Sequence, residues 1–195
     1  MKKVVFLLMV VCDLMACAQK VPNMVKIEED TYMDDAEVSI EWWIEYDEDV
    51  AKRHGADSPE SVAVAPDDKV FRSLYGKSYE SIKKDDELKN RYGRCPIVGL
   101  SREQISKYCK WRTERCSQMK GYQPHGHVLE FGLPDKDDYD SGTRKAKYTE
   151  NDAGTPTPQK RGGKIYGLYD NVAEIYQSVT PPHPYGFRCV AREVE

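Results

Sequence analysis

The sequence lacks the motifs that mark the most common enzyme classes. It contains no P-loop, no G-x-S-x-G turn and no H-E-x-x-H pair, so nucleotide hydrolysis, serine hydrolysis and zinc proteolysis gain no support. It also lacks C-x-x-C and H-x-x-H pairs, the usual spacing of zinc ligands. Internal repeats are absent too. The chain therefore offers no ready-made catalytic motif of these classes.

Positive charge is not concentrated anywhere along the chain. The 195 residues carry a net charge of −4 and form no basic stripe, so we expect no nucleic acid partner. Charged residues make up 32% of the chain and aromatic residues 10%, a balance that is polar but not typical of disorder. The length suits one domain with a real core.

No apolar run is long enough to cross a bilayer as a stable helix. The run at Val4–Val11 follows two lysines and is typical of a signal peptide. The next motif, Leu14–Cys17, reads as a lipobox, so we predict a lipoprotein signal peptide at 1–16 and lipidation of Cys17. Several acyl chains, such as palmitate, would anchor the chain in the membrane almost permanently.

The predicted anchor sets the expected location and the domain boundaries. Ala18 rather than Asp follows Cys17, which in some bacteria favours the outer membrane. We expect an outer-membrane lipoprotein of the cell envelope, with a short linker at 17–23 and a single domain at 24–195. The alternative is an ordinary signal peptide that is cut after Ala16 or Ala18.

Export permits disulfide bonds. Four of the six cysteines remain once Cys12 is lost with the signal and Cys17 is lipidated; they are Cys95, Cys109, Cys116 and Cys189. An even number allows three pairings. Cys95 and Cys116 flank a predicted strand–helix unit and would bond if the two elements ran antiparallel. The alternative is that both are free buried thiols.

The most regular segment is Pro96–Cys116. Pro96–Leu100 is an apolar run of strand length, and Ser101 followed by Gln104 is the pattern of a capping box. We predict a helix from Ser101 to about Gln118. Its inner face would carry, at helical spacing, Ile105, Tyr108, Cys109, Arg112 and Cys116.

The remaining segments show weaker patterns. We predict a strand at Met24–Ile27, a helix from Ser39 to about His54, a loop at 55–68, weak helical signals at Tyr79–Lys89 and a long surface loop at Lys136–Lys164. The acidic run at Asp135–Asp140 is typical of a solvated loop. His125 and His127 could bind a transition metal weakly, but a turn is the simpler account.

Several short motifs follow one another along the chain. They are Ala36–Ser39 (AEVS), Pro96–Trp111, Phe131–Pro134 (FGLP), Tyr166–Asp170 (YGLYD), Asn171–Glu174 (NVAE) and Gly186–Cys189 (GFRC). In this order they resemble motifs of the formylglycine-generating-enzyme, or sulfatase-modifying-factor, family. The family's P-V-V-x-V-S-W-x-x-A-x-x-Y-C-x-W pattern is matched at Pro96, Val98, Ser101, Tyr108, Cys109 and Trp111. Arg102 stands where the family usually has Trp.

The resemblance implies a C-type-lectin-like α+β fold with few regular elements. It also implies a disulfide between Cys109 and Cys189 that ties the main helix to the last strand. Closing a loop of about 80 residues would contribute about 4 kcal/mol. The ending Lys110–Arg115 resembles most closely a subgroup of lipoproteins of bacterial gliding motility and type IX secretion.

The family's enzymes oxidise a substrate cysteine to formylglycine with copper and oxygen. The resemblance implies that two cysteines should follow an R-G-G-S motif between NVAE and GFRC, because a thiolate pair suits Cu(I). That interval, Ile175–Tyr185, contains no cysteine, and Arg161–Gly163 lies upstream of it without a following Ser. His183 is a lone loop histidine beside prolines, more typical of solvation than of metal binding. We therefore expect no oxidase activity.

Calcium is the cofactor that the resemblance leaves open. Family members often bind Ca²⁺ near this motif, which implies oxygen ligands from Asp170, Asn171 and Glu174 and from the Val172 carbonyl. The family's M-x-G spacer before Asn171 is missing here. The alternative is a turn cap with surface acids.

Together these features predict a non-catalytic, lipid-anchored interaction module. We expect it to contact other envelope proteins at the periplasmic face of the outer membrane, within a secretion or gliding-motility assembly; this rests on an analogy from fold to function. One alternative is a formylglycine-type copper oxidase that acts on a protein cysteine. Another is a surface carbohydrate-binding lipoprotein, although Trp42, Trp43 and Trp111 all lie in predicted helices.

Overall fold

The structure, a computed structural model, describes most of the chain after the predicted signal peptide. The described residues are 20–147, 157–158, 163–168, 171–182 and 184–194. The signal peptide at 1–16, the lipidation site Cys17, Asp170 and His183 lie outside these ranges, and their assignments stay predictions. Within the described ranges, no helix is long and apolar enough to cross a membrane.

A four-stranded antiparallel sheet lies at the centre of the described fold. Side by side, its strands are β1 (Met24–Glu28), β2 (Thr31–Asp34), β6 (Val190–Val194) and β3 (Val128–Gly132). The last strand of the chain therefore lies inside the sheet and pairs with strands from two distant segments. A separate parallel pair joins β4 (Ala173–Glu174) to β5 (Tyr185–Gly186). The predicted strand at Met24–Ile27 is confirmed as most of β1.

Seven α-helices accompany the sheet in the described part of the chain. They are α1 (Ile40–His54), α2 (Pro59–Val62), α3 (Asp68–Tyr75), α4 (Tyr79–Lys84), α5 (Asp86–Tyr92), α6 (Arg102–Cys116) and α7 (Lys136–Thr143). Each begins after a serine or aspartate whose side-chain oxygen accepts a hydrogen bond from a main-chain N–H of the first turn. The chain thus has a small antiparallel sheet, and the predicted combination of α and β structure is confirmed.

Helix α6 has the predicted capping box and the predicted inner face. The Ser101 hydroxyl accepts from the Gln104 N–H at 3.2 Å, and the Gln104 side-chain oxygen accepts from the Ser101 N–H at 2.8 Å. The five residues predicted to face inward are all buried, and Trp111 is buried with them. The helix ends at Cys116, two residues before the predicted end.

Two segments that were predicted to be loops contain helices. The segment 55–68 includes α2, whose start is set by Ser58 and a proline in the first turn. The segment Lys136–Lys164 begins with α7, because Asp135 and Asp138 form a second capping box. The acidic run was therefore wrongly assigned to a solvated loop, since two of its carboxylates satisfy the N–H groups at a helix start.

The main core is an aromatic cluster between α1, α6 and the C-terminal segment. Trp43 is fully buried, stacks on Tyr108 with ring centroids 5.4 Å apart, and meets Phe187 edge-on at 6.3 Å. Its indole N–H donates to the Val64 carbonyl at 3.2 Å, so its polar edge is also satisfied. The cluster therefore fixes α6 and the GFRC segment against α1.

A buried ion pair connects α6 to the sheet. The Arg112 guanidinium donates from both terminal nitrogens to the two carboxylate oxygens of Asp34, each at 2.7 Å. The two side chains are 5% and 0% exposed. The Asp34 carboxylate also accepts from the Cys189 N–H at 2.9 Å, and the guanidinium lies 4.3 Å from the centre of the Phe131 ring.

We expect Asp34→Asn to lower the free energy of unfolding by about 3–5 kcal/mol, because it leaves the Arg112 charge buried without its counterion. Urea unfolding followed by tryptophan fluorescence measures the change. The control is Glu103→Gln, which removes an ion pair to Lys107 between side chains that are 77% and 57% exposed, and we expect no measurable change there. Equal effects of the two substitutions would contradict the role of the buried pair.

Candidate functional site

Three of the motifs meet in one buried polar cluster. Glu37 comes from AEVS, Asn171 and Glu174 from NVAE, and Arg188 from GFRC; all four side chains are buried. We call these residues the Arg188 cluster. Glu37 lies between β2 and α1, and Arg188 lies between β5 and β6. The fold therefore brings together residues that the sequence scatters over most of the domain.

Arg188 is the centre of the cluster and is fully buried. Its Nε donates to Glu174 Oε2 at 2.8 Å and its Nη2 donates to Glu174 Oε1 at 2.5 Å, a bidentate ion pair. In addition, Nη1 donates to the Asp34 carbonyl at 3.1 Å and Nη2 donates to the Tyr166 carbonyl at 2.9 Å. Burial acts to lower the pKa of Arg188, but the nearby charge of Glu174 raises it above its ordinary value.

Glu37 is the second carboxyl group in this cluster. Its Oε1 accepts from Asn171 Nδ2 at 3.0 Å, and its Oε2 has no hydrogen-bond partner among the described residues. Burial and the charge of Glu174 raise the pKa of Glu37 to about 8. This shift favours the protonated form of Glu37 in the folded protein, although Arg188 Nη2, 3.8 Å from Glu37 Oε2, acts in the opposite direction.

Asn171 fastens the cluster to a neighbouring segment. It adopts a left-handed backbone conformation with φ of 76°, which asparagine tolerates better than most residues. While its amide N–H group donates to Glu37, its Oδ1 accepts from the Thr157 N–H at 3.0 Å. Both polar groups of the Asn171 side chain thus have hydrogen-bond partners within the protein.

The predicted calcium ligands are only partly brought together for a cation. Both oxygens of Glu174 accept from Arg188, and Asn171 Oδ1 accepts from Thr157, so Ca²⁺ would have to displace these partners. Val172 is buried beside them, and Asp170 lies outside the described residues. In the described ranges, no three His, Cys, Asp or Glu side chains are already arranged as a metal site. This donor set, as arranged, does not fit Ca²⁺.

The predicted Cys109–Cys189 pair is in contact. The two sulfur atoms lie 3.7 Å apart in a buried position, whereas a disulfide bond needs about 2.05 Å. Both residues are free thiols in this structure, so the bond itself stays a prediction. Burial, followed by the hydrogen bond to Cys109, raises the pKa of the Cys189 thiol, which opposes its use as a thiolate nucleophile.

Cys95 and Cys116 are also free and buried. The Cys95 carbonyl accepts from the Ile40 N–H at the start of α1 at 2.9 Å, and Cys116 is the last residue of α6. Burial raises the pKa of both thiols, that of Cys95 to about 11. For Cys116, burial outweighs the charges of Arg112 and Arg115, which act to lower the pKa of its thiol. A bond between Cys95 and Cys116 stays a prediction.

The interval Ile175–Tyr185 is short and is held at the start of α6. Arg102 donates to the Tyr176 carbonyl at 2.9 Å, to the Val179 carbonyl at 3.0 Å and to the Thr180 hydroxyl at 2.8 Å. At one end of the interval, the Ile175 N–H donates to the Gly186 carbonyl at 3.0 Å. This role of Arg102 was not predicted, because its partners Tyr176, Val179 and Thr180 lie more than 70 residues away along the chain.

A surface cavity of about 220 Å³ lies beside α6. Its lining includes the aromatic rings of Trp42, Tyr108, Trp111 and Tyr122. An ion pair between Arg115 and Glu45 also contributes to the lining. Trp42 and Trp111, both predicted to lie in helices, therefore line a cavity.

No protein-family model, curated protein or solved structure matches this chain.

We expect Glu37→Gln to flatten the pH dependence of stability. In the folded state Glu37 titrates at about 8 and its ordinary pKa is 4.5. Its contribution is therefore fully present below about 4.5 and is lost as the pH rises through about 8, because the unfolded chain releases the proton first. Urea midpoints at a series of pH values measure the slope. Glu130→Gln, at an exposed position, is the control and should keep the wild-type slope.

A Glu37→Gln slope equal to that of the wild type between pH 5 and 8 would show that Glu37 does not hold a proton in the folded state.

We expect Cys109 and Cys189 to be recovered as one linked peptide when the exported protein is digested without reductant. Reduction should then lower the free energy of unfolding by about 4 kcal/mol. The chain is alkylated and then analysed by mass spectrometry before and after digestion, which shows whether the two thiols have reacted. A fully reduced sample is the control. Alkylation of both cysteines before reduction would contradict the pairing.

Proposed function

We propose that this chain is a non-catalytic, lipid-anchored interaction module of the outer membrane. It contacts other envelope proteins at the periplasmic face, within a secretion or gliding-motility assembly. Its scaffold is the C-type-lectin-like fold of the sulfatase-modifying-factor family, and Cys17 carries the anchor.

The observation that carries this proposal is the closure of Ile175–Tyr185 by Arg102. In the enzymes that the chain resembles, the reactive cysteines belong in this interval. Here Arg102 makes hydrogen bonds to Tyr176, Val179 and Thr180, so a short tied loop occupies the position. Because Arg102 holds this loop in place, the interval has a structural role, and this supports a function without thiol chemistry.

The use of the shared motifs also supports a structural role. The NVAE and GFRC motifs meet through the bidentate pair of Glu174 with Arg188, and the AEVS motif joins them through Asn171. These side chains are buried and are occupied by one another. They hold the backbone in place on both sides of the interval Ile175–Tyr185.

The interaction role is tested by a cross-linking pull-down of the native, lipid-anchored chain from membranes. We expect envelope proteins to be recovered with the wild type. The matched control is Cys17→Ser, which should lose palmitate labelling and partner recovery while keeping the same folded domain. Recovery of no stable protein partner with the anchored chain would contradict the proposal.

The same preparation separates this function from the oxidase alternative. We expect the mature chain, supplied with copper and a cysteine-containing peptide, to consume no oxygen above the level of free copper. Turnover that converts the peptide cysteine to formylglycine would contradict a non-catalytic role. Arg102→Trp, which restores the residue common in the family, should loosen the Tyr176–Thr180 loop without creating activity.

Carbohydrate binding is a second candidate because of the aromatic cavity beside α6. Aromatic faces with a few polar groups are the usual lining of small-ligand sites, and Trp42 is the half-buried tryptophan that borders this one. If the cavity binds a sugar, a glycan array should give hits that Trp42→Ala abolishes and Trp42→Phe partly keeps. An array without hits would contradict sugar binding in this cavity.

A further inference from the structure

Two histidines and one glutamate meet at the end of the central sheet. His125 Nδ1 lies 3.2 Å and His127 Nδ1 lies 3.5 Å from the same oxygen, Oε2 of Glu193. The Glu193 side chain is 4% exposed, whereas the two imidazoles are 57% and 46% exposed. A buried carboxylate thus offers one oxygen to two rings that solvent can reach.

The backbone conformation places the imidazole rings of His125 and His127 next to Glu193 Oε2. His127 directly precedes β3, whose register places Leu129 opposite Glu193 on β6. His125 has φ of 54° and ψ of 13°, a left-handed conformation that is sterically disfavoured for a residue other than glycine. Such conformations persist where the surrounding structure imposes them, and they cluster at functional sites.

The second oxygen of Glu193 is already held. The Tyr32 hydroxyl donates to Oε1 at 2.7 Å, which fixes the carboxylate plane and leaves Oε2 to the histidines. Carboxylates that bind metals are held in the same way by an outer hydrogen bond. Lys26 opposes the binding of a cation at this place. Its ammonium group lies 5.6 Å from the centre of the Tyr32 ring, and its positive charge acts on Glu193.

Two of the three separations among the ligand atoms are close to those of a zinc coordination sphere. Ligand atoms about 2.0–2.1 Å from a tetrahedral Zn²⁺ are about 3.3 Å from one another, and the two observed separations are 3.2 and 3.5 Å. The three side chains are not yet arranged around a common centre. Exposed rings can turn, so an ion would replace the shared hydrogen bonds and draw both Nδ1 atoms toward itself.

We propose that His125, His127 and Glu193 form a binding site for a divalent transition metal, with Zn²⁺ as the best match. Two imidazole nitrogens and one carboxylate oxygen suit Zn²⁺ rather than Ca²⁺ or Mg²⁺, which prefer oxygen ligands. Three protein ligands leave the fourth position to water or to a group from a partner. The site is separate from the Arg188 cluster and does not depend on the proposed function.

The test is Zn²⁺ titration of the full mature chain by calorimetry in a non-chelating buffer. The wild type should bind one ion per chain. The double variant His125→Ala and His127→Ala should bind at least tenfold more weakly, and Tyr32→Phe should lose about tenfold through the outer hydrogen bond. His54→Ala, which removes an exposed histidine at the end of α1, is the matched control and should bind as the wild type does.

Circular dichroism of each variant confirms that the fold is intact, and Co²⁺ substitution identifies the ligand type. A Co²⁺ spectrum without a thiolate charge-transfer band supports nitrogen and oxygen ligands. Absence of binding by the wild type, an unchanged affinity in the double variant, or a thiolate band that places the ion on the cysteines would each overturn the proposal.

Discussion

Asp34 links three parts of the chain through one buried carboxylate and its carbonyl. The carboxylate takes both terminal nitrogens of Arg112 from α6 and the N–H of Cys189, and the carbonyl accepts from Arg188. Removing any one partner would leave charge or polar groups buried without compensation, which is far more costly than losing an exposed pair. The position of α6, the contact of Cys109 with Cys189 and the geometry of the Arg188 cluster all depend on this arrangement.

The two buried arginines stabilise two different elements, helix α6 and strand β4. Arg112 holds the helix that carries Cys109, while Arg188 holds β4 through Glu174. Between these two arginines along the chain lies the interval Ile175–Tyr185, and Arg102 donates hydrogen bonds to Tyr176 and Val179 of this interval. The NVAE and GFRC motifs thus meet on either side of a loop that Arg102 holds at the start of α6, and the proposal of an interaction module rests on this arrangement.

The local features were predictable and the long-range ones were not. The capping box of α6 and its inner face follow from residues within one helix, so the sequence alone sufficed. Helix α7 was missed because its cap consists of aspartates that equally suit a solvated loop. Glu37 and Asn171 are separated by 134 residues, and Asp34 and Arg112 by 78; no local pattern shows that a surface-type residue will be buried beside a distant partner. The same limit hid the contact of Glu193 with His125 and His127.

The central claim is that the NVAE and GFRC motifs stabilise the fold through each other, and a double-mutant cycle on Arg188→Lys and Glu174→Gln tests it most directly. Both substitutions keep side-chain size, so each variant should fold and unfold reversibly in urea. We predict an interaction energy of about 2 kcal/mol or more, because the buried bidentate pair is broken by either change alone. Effects that add to within about 0.5 kcal/mol would contradict the claim, since the NVAE and GFRC motifs would then not stabilise the fold through each other.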